Sequence, residues 1–127
     1  MKPARVLIID DDSAMVNFIS ALVHDMNCHP TSSFDIENGL GGFRTGFYHL
    51  VIVDIFMEGV GGIEGIQRIR AIDPHVPIIA ISAGYGNISP EKAILAAQKV
   101  GASYTLAKPF SPEALAGVIR QALGTAE

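Results

Sequence analysis

Short apolar runs alternate with longer stretches in which apolar positions recur every three or four residues, so the chain reads as strands alternating with helices. The runs at residues 5–10, 28–33, 49–54, 77–82 and 103–107 predict five strands, and residues 12–26, 35–45, 62–72, 90–100 and 111–123 predict five helices. This order is the pattern of βα units built around a mostly parallel sheet. The first, third and fourth runs are nearly continuous in apolar residues, as strands covered on both faces are, and are expected in the middle of that sheet.

Start signals sharpen two of the helices. Ser89-Pro90-Glu91 and Ser111-Pro112-Glu113 each place a capping serine before a first-turn proline and an acid near the positive end of the helix dipole. The second helix is the weakest, because Gly39, Gly41, Gly42 and Gly46 fall within or just after it and each glycine costs close to ~1 kcal/mol relative to alanine.

At 127 residues, with 49% apolar and 17% charged side chains, the chain is expected to form one domain. The five units use residues 1–127 from end to end, leaving no room among them for an output domain. A formal charge of -4 without a dense Lys/Arg cluster argues against direct nucleic-acid binding. No apolar run approaches a membrane span, and the expectation is a cytoplasmic protein with no membrane insertion. Cys28 is the single cysteine, so it is expected to pack rather than to form an internal disulfide. His24, His29, His49 and His75 lack metal-ligand spacing.

The candidate chemistry follows from the strand ends. In an open parallel sheet, ligands bind outside the carboxyl ends of the strands, where the loops diverge and helix amino termini point inward. Here those ends carry Asp10-Asp11-Asp12, Asp54, Ser82 and Lys108. Three consecutive carboxylates repel one another unless a cation lies among them, and oxygen ligands suit a hard ion such as Mg²⁺. One of the three also suits the cap of the following helix. Asp54 closes the run Leu50-Val51-Ile52-Val53, which sets it rigidly at the mouth of a central strand, where a carboxylate can act as a nucleophile toward phosphorus. Lys108 can pair with Asp54 or hold a phosphoryl oxygen, and the Ser82 hydroxyl can donate to an acceptor there.

The segments VLIIDDDSAM, LVIVDIFMEGVGGIEGIQRIR, PIIAISA and GASYTLAKPFSPEAL together resemble the receiver domain of bacterial two-component response regulators. The resemblance implies a flavodoxin-like (βα)5 three-layer sandwich with a parallel five-stranded sheet of order 2-1-3-4-5. It implies Asp54 as the phosphoacceptor, with Asp10, Asp11, Asp54 and the Phe56 backbone carbonyl holding Mg²⁺ and with Ser82 and Lys108 contacting the phosphoryl group. The implied donor is a phosphohistidine on a sensor histidine kinase or a histidine phosphotransfer domain, and the implied output is a downstream protein target. Such a domain is regulatory rather than an enzyme, promoting only its own phosphotransfer and slow dephosphorylation.

The chain departs from the family pattern at several places. Glu58 stands where a proline usually follows the position of Met57, and Gly61 replaces the usual acid or amide, so this loop is expected to be looser than average. Thr105 occupies the place of the family's aromatic switch residue, and Tyr104, one position earlier, belongs to the opposite face of its strand. The switch is therefore expected to use Ser82 and Thr105, with Tyr85, in the long segment 84–89, as an output contact. Phe56 and Gly84 cannot orient a hydrolytic water through their side chains, which predicts a long-lived phosphoryl group.

Two alternatives compete with this reading. One is a pseudo-receiver that acts as a protein-binding module without phosphorylation. The other is a haloacid-dehalogenase-like phosphatase with Asp10 as nucleophile and Asp12 as acid/base, although Ser13-Ala14 replaces the expected continuation and Asp54 would have no role.

Overall fold

The computed structural model describes residues 2–56, 61–82 and 89–124. Its strands are β1 (Arg5–Ile9), β2 (His29–Ser33), β3 (Leu50–Asp54), β4 (Ile78–Ser82) and β5 (Tyr104–Ala107). All pairs are parallel and the order is β2-β1-β3-β4-β5, as the resemblance implies. The helices are α1 (Ser13–Asp25), α2 (Ile36–Leu40), α3 (Gly62–Ile72), α4 (Pro90–Val100) and α5 (Pro112–Leu123).

Alternation along the inner strands divides the core into two layers. Leu7, Ile9, Val51, Val53, Ile78 and Ala80 point to one face and pack with Ile36, Ile66, Ile69, Ala93 and Ala97 from α2, α3 and α4. Val6, Ile8, Leu50, Ile52, Ile79 and Ile81 point to the other and pack with Ile19, Val23, Leu115 and Ile119 from α1 and α5. Most of these side chains are completely buried, and burying each valine, leucine or isoleucine contributes roughly 1.5–3 kcal/mol relative to leaving it in water. The sheet on which the polar strand ends sit is therefore rigid.

The edge strand β2 reads HPTSS, and its polar character and Pro30 fit a position with only one neighbour. Helix α2 stops at Leu40, five residues short of the expected end, because Gly41 and Gly42 follow and, of residues 43–45, only Phe43 is buried. Both Ser-Pro-Glu starts are real caps: Ser89 Oγ accepts from the Lys92 N–H and Ser111 Oγ from the Ala114 N–H. Cys28 is half-buried against the α1/α5 layer, as expected. Among the described residues, no helix is long and apolar enough to cross a membrane.

Candidate functional site

Register brings the strand ends together. Ile9 lies beside Val53, so Asp10 emerges next to Asp54; Asp54 lies beside Ile81, and Ser82 beside Ala107, immediately before Lys108. Alternation places Asp10 and Asp54 on the α1/α5 side with Ile8 and Ile52, and Lys108 follows Tyr104 and Leu106 on that same side. Ser82 shares its face with Ile78 and Ala80, as does Thr105, the register partner of Ala80.

The result is a lysine between two buried carboxylates. Lys108 Nζ lies 3.4 Å from Asp54 Oδ2 and 3.7 Å from Asp10 Oδ2. The other oxygens are committed to backbone: Asp10 Oδ1 accepts from the Asp12 N–H at 2.9 Å, and Asp54 Oδ1 from the Phe56 N–H at 3.1 Å. The latter bond turns the chain back over Asp54 directly after β3. Asp10 Oδ2 is buried and accepts no hydrogen bond, a costly condition for a charged oxygen.

Electrostatics reflects that cost. Burial pushes the Asp10 carboxyl up to about 6; the Asp12 N–H opposes the rise, the Asp54 charge adds to it, and the Lys108 ammonium opposes it. A proton on Asp10 would also be donated to Asp54, which raises the value further. Asp10, Asp11 and Asp54 each offer an oxygen, all within 4.8 Å of one another, with Asp11 on the exposed side. Oxygen-only donors around an orphaned buried carboxylate oxygen fit a hard divalent cation. Asp12 stands apart from the three: its Oδ1 accepts from the Ala14 and Met15 N–H groups and caps α1.

Gly62 is a supporting residue that sequence reasoning passed over. Its N–H donates to the Ile55 carbonyl at 2.9 Å, and a Cβ placed on it would fall 2.6 Å from Ile55 Cα and overlap the Asp54 carbonyl. Only glycine lets the start of α3 press this closely on the end of β3. Gly61, one residue earlier, is the N-cap of α3 without a side-chain capping bond.

The remaining sequence candidates divide as follows. Phe56 packs its ring against the α2/α3/α4 layer. Tyr104 packs into the α1/α5 layer, on the opposite face from Thr105, as the one-residue offset requires. Ser82 is fully buried at the end of β4. Tyr85 and Gly84, with Met57 and Glu58 of the β3–α3 loop, lie outside the described residues, so the expected output contact and the expected looseness have no structural account here.

A family model described as the response regulator receiver domain matches residues 6–120. Among curated relatives, the transcriptional regulatory protein FixJ of Bradyrhizobium diazoefficiens is 30% identical over 123 residues, covering 97% of this chain and 58% of its own. DltR of Streptococcus agalactiae, also a transcriptional regulatory protein, is 28% identical over 116 residues, covering 91% of this chain and 50% of its own. The chain thus spans only about half the length of these two relatives. Among solved structures, a response regulator receiver domain protein from Clostridium thermocellum superposes with a TM-score of 0.82 at 28% identity, covering 95% of this chain and 94% of that one. NtrX from Brucella abortus superposes with a TM-score of 0.85 at 26% identity, covering 98% of this chain and 28% of that one. The family match over nearly the whole length, on a sheet of the same order, establishes that this chain belongs to the response regulator receiver domain family.

Proposed function

We propose that Asp54 accepts a phosphoryl group from a phosphohistidine of a sensor kinase or histidine phosphotransfer domain, and that the change is passed to a downstream protein. The observation that carries the reading is the Lys108 ammonium set between two buried strand-end carboxylates, one of which keeps an orphaned oxygen. In the step itself an Asp54 oxygen bonds to phosphorus, the phosphorus–nitrogen bond breaks, and the imidazole leaves with the bonding pair.

The residues of the site have separate tasks. The Phe56 N–H fixes one oxygen of Asp54 and so orients the carboxylate. Lys108 partners the other oxygen at rest, and after transfer its ammonium is free to hold a phosphoryl oxygen. The Ser82 hydroxyl, buried on the next strand, is the donor for a second phosphoryl oxygen. Asp10, Asp11, Asp54 and the Phe56 carbonyl would hold Mg²⁺, which supplies neutralisation of charge on the transferring group. Beside the site a cavity of about 410 Å³ is lined by Met15, Phe18, Lys108, Pro109 and Phe110, an apolar approach that supports docking of a protein donor.

The phosphatase alternative loses support because Asp12, its acid/base, is engaged in capping α1. The packed Phe56 ring supports slow hydrolysis, since it presents no polar group to a water. The same reading makes the domain a regulatory element working with cytoplasmic partners. Its test is incubation with Mg²⁺ and acetyl phosphate: the reading expects one phosphoryl group on the domain and none on Asp54→Asn, and equal labelling of that variant would overturn it.

A further inference from the structure

Charge is divided between the two ends of the sheet. Among the described residues, the carboxyl ends of the strands and the loops that leave them carry Asp10, Asp11, Asp12, Asp35 and Asp54 against Lys108. The amino edge is the reverse. Arg5 and His29 open β1 and β2, His49 and His75 precede β3 and β4, and His24 stands in the last turn of α1. Lys2 and Arg120, the latter in the last turn of α5, join them. Among the described residues the acids at this edge are Asp25, closing α1, and Asp73, closing α3.

An open cavity of about 1030 Å³ lies at the amino edge, between the feet of the strands and the ends of α1 and α5. Most of its wall is apolar, built from residues such as Met26, Tyr48, Val76, Pro77 and Leu123. Lys2, His49, His75 and Arg120 also line it, and all four are exposed to solvent. Asp73 is the acid among the described lining residues, and it is only 4% exposed. Its Oδ1 accepts from the His75 and Val76 N–H groups and its Oδ2 from the Gly46 N–H, so backbone satisfies both oxygens. Among the described residues, none of the four basic side chains forms a salt bridge. His49 is also oriented: its Nδ1 accepts from the Arg5 N–H at 2.9 Å, so the neutral ring carries its proton on Nε2 and keeps a donor there.

A concave, mainly apolar wall with a few polar groups has the composition of a small-molecule site, and the sign of these groups selects an anion. We propose that this cavity binds a small organic anion, with a ring-bearing apolar body against Met26, Val76 and Leu123 and a carboxylate, sulfonate or phosphate group facing Lys2, His49 and Arg120. The smaller cavity beside Lys108 is a poor competitor for such a ligand, because its cation is already engaged by Asp10 and Asp54. The site lies at the far end of the sheet from Asp54, and its ligand does not depend on the receiver reading.

The probe is 8-anilinonaphthalene-1-sulfonate, compared with uncharged N-phenyl-1-naphthylamine, which has the same rings. Titrated into the ¹⁵N-labelled domain, the sulfonate should shift the amides of Cys28, His49, Val76 and Leu123 and leave those of Phe18, Asp54 and Phe110 unmoved. Its affinity should exceed that of the uncharged probe by roughly tenfold, the effect of a few exposed cations acting together. Arg120→Gln should weaken the sulfonate about threefold, and Arg120→Gln with Lys2→Gln about tenfold, with the uncharged probe unaffected. Both side chains are exposed, so the variants should fold. Equal affinities for the two probes, or an unchanged sulfonate affinity in the folded double variant, overturn the anion. Shifts centred on Phe18 and Phe110, or no shifts, overturn the site. A polyglutamate peptide that shifts the same amides and displaces the sulfonate at lower concentration overturns the small ligand in favour of an acidic chain.

Discussion

The Lys108 ammonium lies 3.4 Å from Asp54 Oδ2, so the proposed nucleophile at the end of β3 and the cation that would receive its product, just past β5, are already paired across the end of the intervening β4. Removing that charge while keeping much of the stem separates its roles. Lys108→Met should lower the phosphorylation rate by on the order of 100-fold, as loss of a positioned charge-stabilising donor does. Mg²⁺ affinity should be unchanged or higher, because a competing cation has gone; single-turnover labelling and Mg²⁺ titration measure the two.

Acidity tests the burial of Asp10. Its carboxyl titrates at about 6 in the folded protein, against 3.8 for an unperturbed group, so between these values the folded state binds more protons than the unfolded one. Stability then rises as pH falls through that window, opposite to the usual behaviour of a paired carboxylate. For the metal-free domain, thermal midpoints should increase from pH 7 toward pH 5. Asp10→Asn should be more stable at pH 7 by about 1–2 kcal/mol and lose this slope. Mg²⁺ should raise the midpoint of the parent domain and have far less effect on the variant.

A second carboxylate behaves in the ordinary direction. Asp73 accepts from the N–H groups of His75, Val76 and Gly46, and the first of these bonds chiefly holds its carboxyl below the usual value. Its contribution is present above the normal carboxylate range and disappears as pH falls below it. Asp73→Ala strands three donors at the foot of the sheet and should cost about 2–3 kcal/mol in urea unfolding, with Asp73→Asn costing less.

Gly62 should tolerate no side chain. Gly62→Ala forces a methyl group against the Asp54 carbonyl and Ile55 Cα, so it should destabilise the domain by roughly 1–3 kcal/mol and reduce labelling of the molecules that remain folded. Gly61→Ala, whose Cβ would meet only the Ile55 carbonyl at 3.8 Å, should cost much less.

These residues also mark what the amino-acid sequence made legible. The apolar runs of β1, β3 and β4 announced inner strands because both of their faces are covered, and the charged or hydroxyl residues closing them pointed to one edge of the sheet. β2 was harder, since an edge strand such as HPTSS carries no alternating signal and is recognisable mainly from its place between two helices. Helix α2 was read too long because the cost of Gly41 and Gly42 was weighed as weakness rather than as an end. Which of Asp11 and Asp12 caps α1 was open until the Asp12 hydrogen bonds were seen. Gly62 against Asp54 was beyond reach, because it depends on a contact that a local pattern does not encode.

The central claim is that Asp54 is the phosphoacceptor of a cation-dependent site. It is tested most directly by intact-mass and peptide mapping after incubation with acetyl phosphate, with Mg²⁺ present or chelated. The account predicts a single phosphoryl group on Asp54, formed only with Mg²⁺ and absent from Asp54→Asn. Labelling at another residue, or none under any of these conditions while the domain remains folded, would contradict it.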